Sequence, residues 1–223
     1  MEVAEQMTTM STNAEFWNDA AKKYAARPVA DLPAFERKKA ITREHLTPEA
    51  TILEIGCGTG SLALEMSRFA GHIHAMDASS EMIRIANGKM DTDAVTNVTF
   101  HLGTLDGPIP FEAGPFDAAW AYSILHLVHD RRGTLERLFA LLKPGGTFIS
   151  SNVCLAGTWV PYGALIAVMR WFGKAPMVYL YDRNTILREL RDVGFSDITV
   201  HDVGADAKVA FVTAIKPRNP RRA

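Results

Sequence analysis

Short apolar runs rich in Ile, Val and Phe alternate with segments of helical period through the middle of the chain. The first run, Thr51–Ile55, leads through Gly56-Cys57-Gly58-Thr59-Gly60 into a helical stretch at 61–69. Later runs of the same kind lie at 72–76, 98–102, 116–122 and 147–153. Strands that alternate with helices in this way are typical of an α/β fold with a mostly parallel sheet.

The end of the chain departs from this alternation. The runs at 198–201 and 209–215 lie too close together for a crossover helix between them, so they predict an antiparallel hairpin. Upstream, Pro144-Gly145-Gly146 is expected to end one helix before the strand at 147–153. Gly194 is expected to end a later helix.

Residues 1–45 precede the first strand and have helical period. Trp17, Ala20, Ala21 and Tyr24 share one helical face, and Pro28 and Pro33 are expected to divide this region into two pieces. At the other end of the chain, 217–223 is rich in Arg and Pro and predicts a flexible tail.

A stretch without formal charge runs from 144 to 169 and is long enough to cross a bilayer. Gly157, Pro161 and Gly163 interrupt it, and no apolar run within it reaches about 18 residues. We therefore expect a buried strand followed by an apolar insertion, and no integral membrane span.

Composition excludes several functional classes. Lys and Arg number 24 against 25 Asp and Glu, so the net charge of −1 offers no global attraction to nucleic acid, and no nucleic-acid partner is expected. Cys57 and Cys154 belong to no Cys-x-x-Cys or Cys/His cluster, so neither a disulfide framework nor a bound metal is expected. The first 15 residues lack the apolar core of a secretion signal, so the expected location is the cytoplasm.

The glycine-rich turn after the first strand predicts a ligand. Its spacing is G-x-G-x-G, and Ser61 stands where a dinucleotide fingerprint needs its third glycine. Glu54, two residues before the first glycine, suits an ammonium or sulfonium better than a pyrophosphate. Asp77, at the end of the second strand, can accept hydrogen bonds from ribose hydroxyls. S-adenosylmethionine is such a ligand, since it is a cationic nucleoside without phosphate.

The chain resembles the class I S-adenosylmethionine-dependent methyltransferases, in the small-molecule branch that includes the ubiquinone and menaquinone C-methyltransferases. Four segments carry the resemblance in the expected order, and they lie at 53–60, 77–82, 116–130 and 141–146. It implies a Rossmann-like seven-stranded sheet with the last strand antiparallel and helices on both faces. It also implies an N-terminal helical lid over 1–45, a methyltransferase domain over 46–216, and a cap insertion at 155–181 after the fifth strand.

The resemblance also implies which residues bind S-adenosylmethionine. They are expected at Tyr24, Glu54, Gly56, Cys57, Gly58, Gly60, Asp77, Ala78, Met82, Thr104, Leu105 and Ala121. Many relatives have Gly-Asp-Ala after the third strand, whereas this chain has Gly103-Thr104-Leu105. The Thr104 hydroxyl and the Leu105 backbone are the groups left to contact the adenine.

In this fold the end of the fourth strand faces the methyl group, which makes His126 and Tyr122 candidate catalytic residues and Ser123 a candidate acceptor contact. His126 is either a general base or a residue that orders its loop by bonding the backbone or Asp130. Trp17 either closes over the site with Tyr24 or packs on the sheet edge.

Trp159, Tyr162 and Ile166 in the insertion are candidate acceptor contacts. A homodimer interface and a small cap core are the alternatives for this apolar segment.

The expected function is transfer of a methyl group from S-adenosylmethionine to a small, apolar or aromatic acceptor by in-line displacement. One alternative is a sensor or partner subunit that binds S-adenosylmethionine without transferring it. Another is an NAD-linked dehydrogenase, which the glycine spacing disfavours.

Overall fold

A computed structural model of the chain describes residues 2–109, 111, 114–157 and 159–218. Seven strands form one sheet. Their bounds are Thr51–Ile55 (β1), His72–Asp77 (β2), Val98–Leu102 (β3), Phe116–Tyr122 (β4), Leu142–Val153 (β5), Ser196–His201 (β6) and Val209–Ile215 (β7). The strand order is β3-β2-β1-β4-β5-β7-β6. All neighbours are parallel except β7, which is antiparallel to both β5 and β6. The predicted sheet and its terminal hairpin are therefore confirmed.

Helices cover both faces of the sheet, as predicted. Their bounds are Glu2–Ala25 (α1), Leu32–Arg43 (α2), Ser61–Met66 (α3), Ser80–Asp93 (α4), Arg131–Leu141 (α5), Tyr162–Trp171 (α6) and Arg183–Val193 (α7). Short 3₁₀ turns lie at Ser67–Phe69 and Leu125–Leu127. Apolar residues of α3 and α4 pack in a core on one face, and those of α5 and α7 pack in a core on the other.

Side-chain caps fix where several helices begin. The side chains of Asp31, Ser79, Asp130 and Asp182 each accept a hydrogen bond from a backbone N–H in the first turn of α2, α4, α5 and α7. Pro33 lies in the first turn of α2, where proline is tolerated because the helix needs no N–H there. The two helical pieces are therefore separated at 26–31.

The Pro144-Gly145-Gly146 segment differs from the prediction. It lies inside β5, which begins at Leu142, and the pairing of β5 with β4 shifts register between Phe116 and Ala118. Gly145 has φ +85°, which a residue with a side chain adopts only at a cost. The glycines therefore form an irregularity at the start of the strand, as glycines in strands often do.

The uncharged stretch at 144–169 contains most of β5 and the greater part of α6. In the part of the chain that the structure describes, no helix is both long and apolar enough to cross a membrane. Of the predicted tail, 219–223 lies outside the described residues.

Candidate active site

The turn between β1 and α3 shapes the floor of the site. The Cys57 N–H donates to the Met76 carbonyl at 3.0 Å, which ties the turn to β2. Gly56 has φ +65°, and a Cβ there would lie 2.5 Å from the Ile124 side chain. At Gly58 a Cβ would meet nothing closer than the Tyr24 ring at 3.9 Å, so this residue faces open space.

Asp77 ends β2 beside this turn. One carboxylate oxygen accepts from the Gly58 N–H and the other from the Ser79 N–H, each at 2.9 Å. Burial raises the pKa of Asp77, and these backbone donors act in the opposite direction. Each oxygen retains a lone pair for a further donor, so the carboxylate is held in place and can still accept from a ligand.

A cavity of about 1090 Å³, including its open mouth, lies at the carboxyl ends of the parallel strands. In open α/β sheets, ligands bind at this edge. Most of the predicted site residues line it, namely Trp17, Tyr24, Gly56, Gly58, Asp77, Ala78, Met82, Thr104, Leu105, Tyr122 and Ser123.

The remaining predicted residues do not line this cavity. They are Glu54, Cys57, Gly60, Ala121, His126, Trp159, Tyr162 and Ile166. Cys57 and Ala121 are buried in the two cores, and Gly60 (φ +73°) caps α3, where a Cβ would lie 2.5 Å from Phe100. In the cap, Trp159 is 95% exposed, and α6, which carries Tyr162 and Ile166, has no buried residue.

Several lining residues have no counterpart among the predicted ones. They are Asn13, Ala14, Ile55, Met76, Gly103, Asp106, Ile124, Leu127, Val128, His129 and Thr134. Many of them are next to a predicted residue in the sequence, so their position beside a motif could have identified them. No sequence signal identified Asn13 and Ala14, because the sequence of a helix does not show which strand ends that helix covers.

Glu54 lies beneath the site and carries a buried carboxyl group. The residue is 2% exposed, and its Oε2 atom has no hydrogen-bond partner among the described residues. Burial raises the pKa of Glu54 to about 8, with a further contribution from nearby Asp77. The carboxyl group is therefore mostly protonated at neutral pH unless a cation binds nearby.

Two buried polar atoms at the cavity have no hydrogen-bond partner in the part of the chain that the structure describes. They are Trp17 Nε1 and Thr134 Oγ1, and both residues line the cavity. Buried polar groups are normally paired, so such a cluster needs an explanation. Among the described lining residues there is no Lys or Arg, whereas Asp77 and Asp106 contribute two carboxylates.

Helix α1 lies over the cavity and is fixed there by two asparagines. Asn18 Oδ1 accepts from Ser79 Oγ at 2.7 Å and from the Glu81 N–H at 3.2 Å, at the start of α4. Asn13 accepts from the Met177 N–H at 2.7 Å and donates to the Leu127 carbonyl at 3.3 Å. Helix α1 is thus attached both to α4 and to the segment after α6.

The segment after β4 forms the far wall. Tyr122 Oη lies 2.5 Å from Thr42 Oγ1, and burial raises the tyrosine pKa, so its hydroxyl stays neutral. Ser123 has φ +54°, which is uncommon for a residue other than glycine and often marks a functional position. Burial lowers the pKa of His126 to about 4, and its Nδ1 atom has no hydrogen-bond partner within the described ranges.

Comparison with known proteins shows what the chain is similar to. Residues 52–146 match the model of a methyltransferase domain. The chain is 28% identical over 106 residues to a ubiquinone biosynthesis O-methyltransferase of Xanthomonas campestris pv. campestris, covering 48% of this chain and 44% of that protein. It is 30% identical over 139 residues to a demethylmenaquinone methyltransferase of Leptospira interrogans, covering 56% of each.

A crystal structure of a SAM-dependent methyltransferase from Aquifex aeolicus has the same fold. It superposes with a TM-score of 0.67 at 20% identity, over 87% of this chain and 96% of that one. The chain spans about half the length of the curated relatives it matches. The resemblance found in the sequence motifs is confirmed, because residues 52–146 match a methyltransferase domain and the chain is similar to these methyltransferases.

Proposed function

We propose that this chain transfers the methyl group of S-adenosylmethionine to a small aromatic acceptor of the quinone type. The observation that carries the proposal is the charge of the site. Two carboxylates line the cavity, and the described lining residues include no Lys or Arg. The buried carboxyl group of Glu54, which a bound cation would ionise, lies beneath the glycine turn. This arrangement suits a cationic nucleoside and opposes the pyrophosphate of a dinucleotide.

The residues present fit S-adenosylmethionine. Asp77 is the proposed ribose contact, since both of its oxygens are already oriented by backbone donors. Glu54 is the proposed partner of the cation. Apolar walls for the adenine come from Ala78, Met82 and Leu105.

When bound, S-adenosylmethionine would supply an electrophilic methyl group, which would bond to the acceptor nucleophile as its bond to sulfur breaks and S-adenosylhomocysteine leaves. Because the sulfonium is a good leaving group, the chain's main contribution is to align the acceptor and exclude water. Trp17 and Tyr24 on α1 narrow the site from above, with their rings edge to face at 5.8 Å.

An acceptor such as a phenol must also lose a proton. Tyr122 lines the cavity, but its hydroxyl is bound to Thr42 and its raised pKa makes it a poor base. His126 is neutral at pH 7 and has the protonation state of a base, but its ring does not line the cavity. Direct proton transfer to His126 therefore requires movement of the segment after β4, and transfer to water is the simpler route.

The acceptor class rests on the relatives and on the apolar side chains of the cavity. Both curated relatives are named for steps of quinone synthesis. Ile124, Leu127 and Val128 line the wall that continues from the end of β4. An aromatic ring with little charge matches these side chains better than a charged metabolite does.

Calorimetry with S-adenosylhomocysteine and with NAD tests the cofactor, and transfer of labelled methyl to a panel of catechols, hydroquinones, amines and thiols tests the acceptor. We expect adenosyl binding, no NAD binding, and label on the aromatic diols. Binding of NAD alone would refute the cofactor assignment. Adenosyl binding without transfer to any acceptor would instead favour a sensor or partner subunit.

A further inference from the structure

The cap presents an apolar surface on the outside of the molecule. Helix α6 and its flanks contain most of the large apolar side chains that the described residues expose. Leu165, Val168 and Phe172 share one face of α6, and Phe172 is 69% exposed. Trp159 before the helix and Trp171 at its end are 95% and 88% exposed. Exposed apolar side chains grouped in one segment in this way mark surfaces that interact with proteins or membranes.

The charges of this segment have one sign. Between 155 and 181 the only formally charged residues are Arg170 and Lys174, although the whole chain has a net charge of −1. Both cations adjoin the aromatic pair Trp171 and Phe172. Tryptophan favours the boundary between lipid tails and water, and basic residues near a membrane are attracted to anionic headgroups.

A second copy of the chain is a poorer occupant. A two-fold interface places the same patch on both subunits, so Arg170 and Lys174 would approach their own copies with no acidic residue in the segment to pair with them. Charges buried in an interface without partners are costly. An anionic lipid bilayer has an apolar interior and negatively charged headgroups, so it matches both the exposed apolar side chains and the two basic residues of the cap.

We propose that α6 and its flanking residues 159–174 dock on an anionic lipid bilayer, with the helix lying in the headgroup region. Trp and Phe side chains next to basic residues, as at 170–174, suit a helix in this position. Docking goes beyond the proposed function, because it does not depend on methyl transfer. The Asn13 contact with Met177 places the cap next to the helix that covers the cavity, so docking would bring that side of the molecule close to lipid.

Co-sedimentation of the full chain with vesicles tests the proposal, using phosphatidylcholine alone and a 7:3 mixture of phosphatidylcholine and phosphatidylglycerol. We expect at least tenfold stronger partitioning onto the mixture, with a blue shift of tryptophan emission. The double variant Trp171→Ser with Phe172→Ser should lose at least tenfold in partitioning. Arg170→Ser with Lys174→Ser should remove the preference for the anionic vesicles.

A matched control is Val29→Ser with Leu32→Ser, which removes two apolar side chains that are about half exposed outside the cap. It should partition like the unchanged chain. Circular dichroism and S-adenosylhomocysteine binding should be unchanged in every variant. If the unchanged chain does not bind S-adenosylhomocysteine, that result counts against the proposed function only, because partitioning onto vesicles is measured independently.

Three results would overturn docking. The first is no partitioning onto either vesicle, and the second is equal partitioning of the aromatic double variant. The third is a dimer, detected by light scattering in the unchanged chain and lost in that variant, which would show that a second copy covers the patch.

Discussion

Replacing Glu54 with Gln tests the electrostatic argument for the site most directly. With a pKa of about 8, Glu54 is mostly protonated at pH 7 in the free chain. A bound ammonium or sulfonium favours the ionised form, so binding should release about 0.9 proton per site at pH 7. Ionising the group at that pH costs about 1.4 kcal/mol, at 1.36 kcal/mol per pKa unit.

The same reasoning gives the pH dependence of cofactor affinity. The ionised fraction of Glu54 rises from about 1% at pH 6 to about half at pH 8, so affinity for S-adenosylhomocysteine should rise roughly fiftyfold over this range. Glu54→Gln cannot titrate, so its affinity should change little between these pH values. Glu54→Asp retains a carboxyl group and should retain part of the slope.

Isothermal titration calorimetry in two buffers of different ionisation enthalpy measures both the affinity and the proton count. Asp77 also lies in the site and contributes its own titration, so the decisive quantity is the difference between the unchanged chain and Glu54→Gln. If both release the same number of protons at pH 7 and show the same pH slope, Glu54 does not contact the cation and the argument is refuted.

Three further changes have defined outcomes. Asp77→Ala should weaken S-adenosylhomocysteine binding by about 1.5–3 kcal/mol in calorimetry, because charge-assisted hydrogen bonds to the ribose are lost; unchanged affinity in a folded variant would place the ribose elsewhere. Because burial lowers the pKa of His126 to about 4, the folded chain binds this proton more weakly than the unfolded chain, so stability is fully present above about pH 6.5 and falls as the pH drops towards 4. Urea unfolding of the unchanged chain should show a loss of up to about 3 kcal/mol in the free energy of unfolding across this window, and His126→Leu should lack this loss. Equal pH slopes for the two chains would contradict the lowered pKa of His126. Ser123→Gly should raise the free energy of unfolding by up to about 1 kcal/mol, since glycine relieves the positive φ, whereas Ser123→Ala should give no such gain in thermal melts.

Most of the cavity residues that the sequence predicted lie where a strand ends in a turn, whereas Trp17, Tyr24 and Met82 lie on helices. Gly56, Gly58 and Asp77 follow buried strands whose apolar runs are visible in the sequence, and parallel strands bring their carboxyl ends to one edge. Local chemistry is therefore enough to place these residues at the cavity. The short connection between the last two strands likewise predicted their antiparallel hairpin.

The residues that the sequence could not place depend on packing between distant segments. His126 and His129 lie three residues apart after β4, and only the turn at Leu125–Leu127 and its packing direct one ring inwards and the other to the cavity. The same is true of the apolar insertion. Its sequence shows that it is apolar, but not whether its apolar side chains face the cavity or solvent. Asn13 lies 114 residues from Leu127 and 164 from Met177, its two hydrogen-bond partners.

The contacts of Asn13 and Asn18 connect the Asp77 end of the cavity to the segment that follows α6. Asn18 binds the start of α4 directly after Asp77, and Asn13, less than two turns away on the same helix, binds the segment that follows α6. A ligand held by Asp77 therefore lies beneath a helix whose other contact is with the cap. Because Asn13 bonds main-chain atoms at both Leu127 and Met177, the attachment does not depend on the side chains there. We therefore expect α1 to stay over the cavity when the outer side chains at 159–174 are changed.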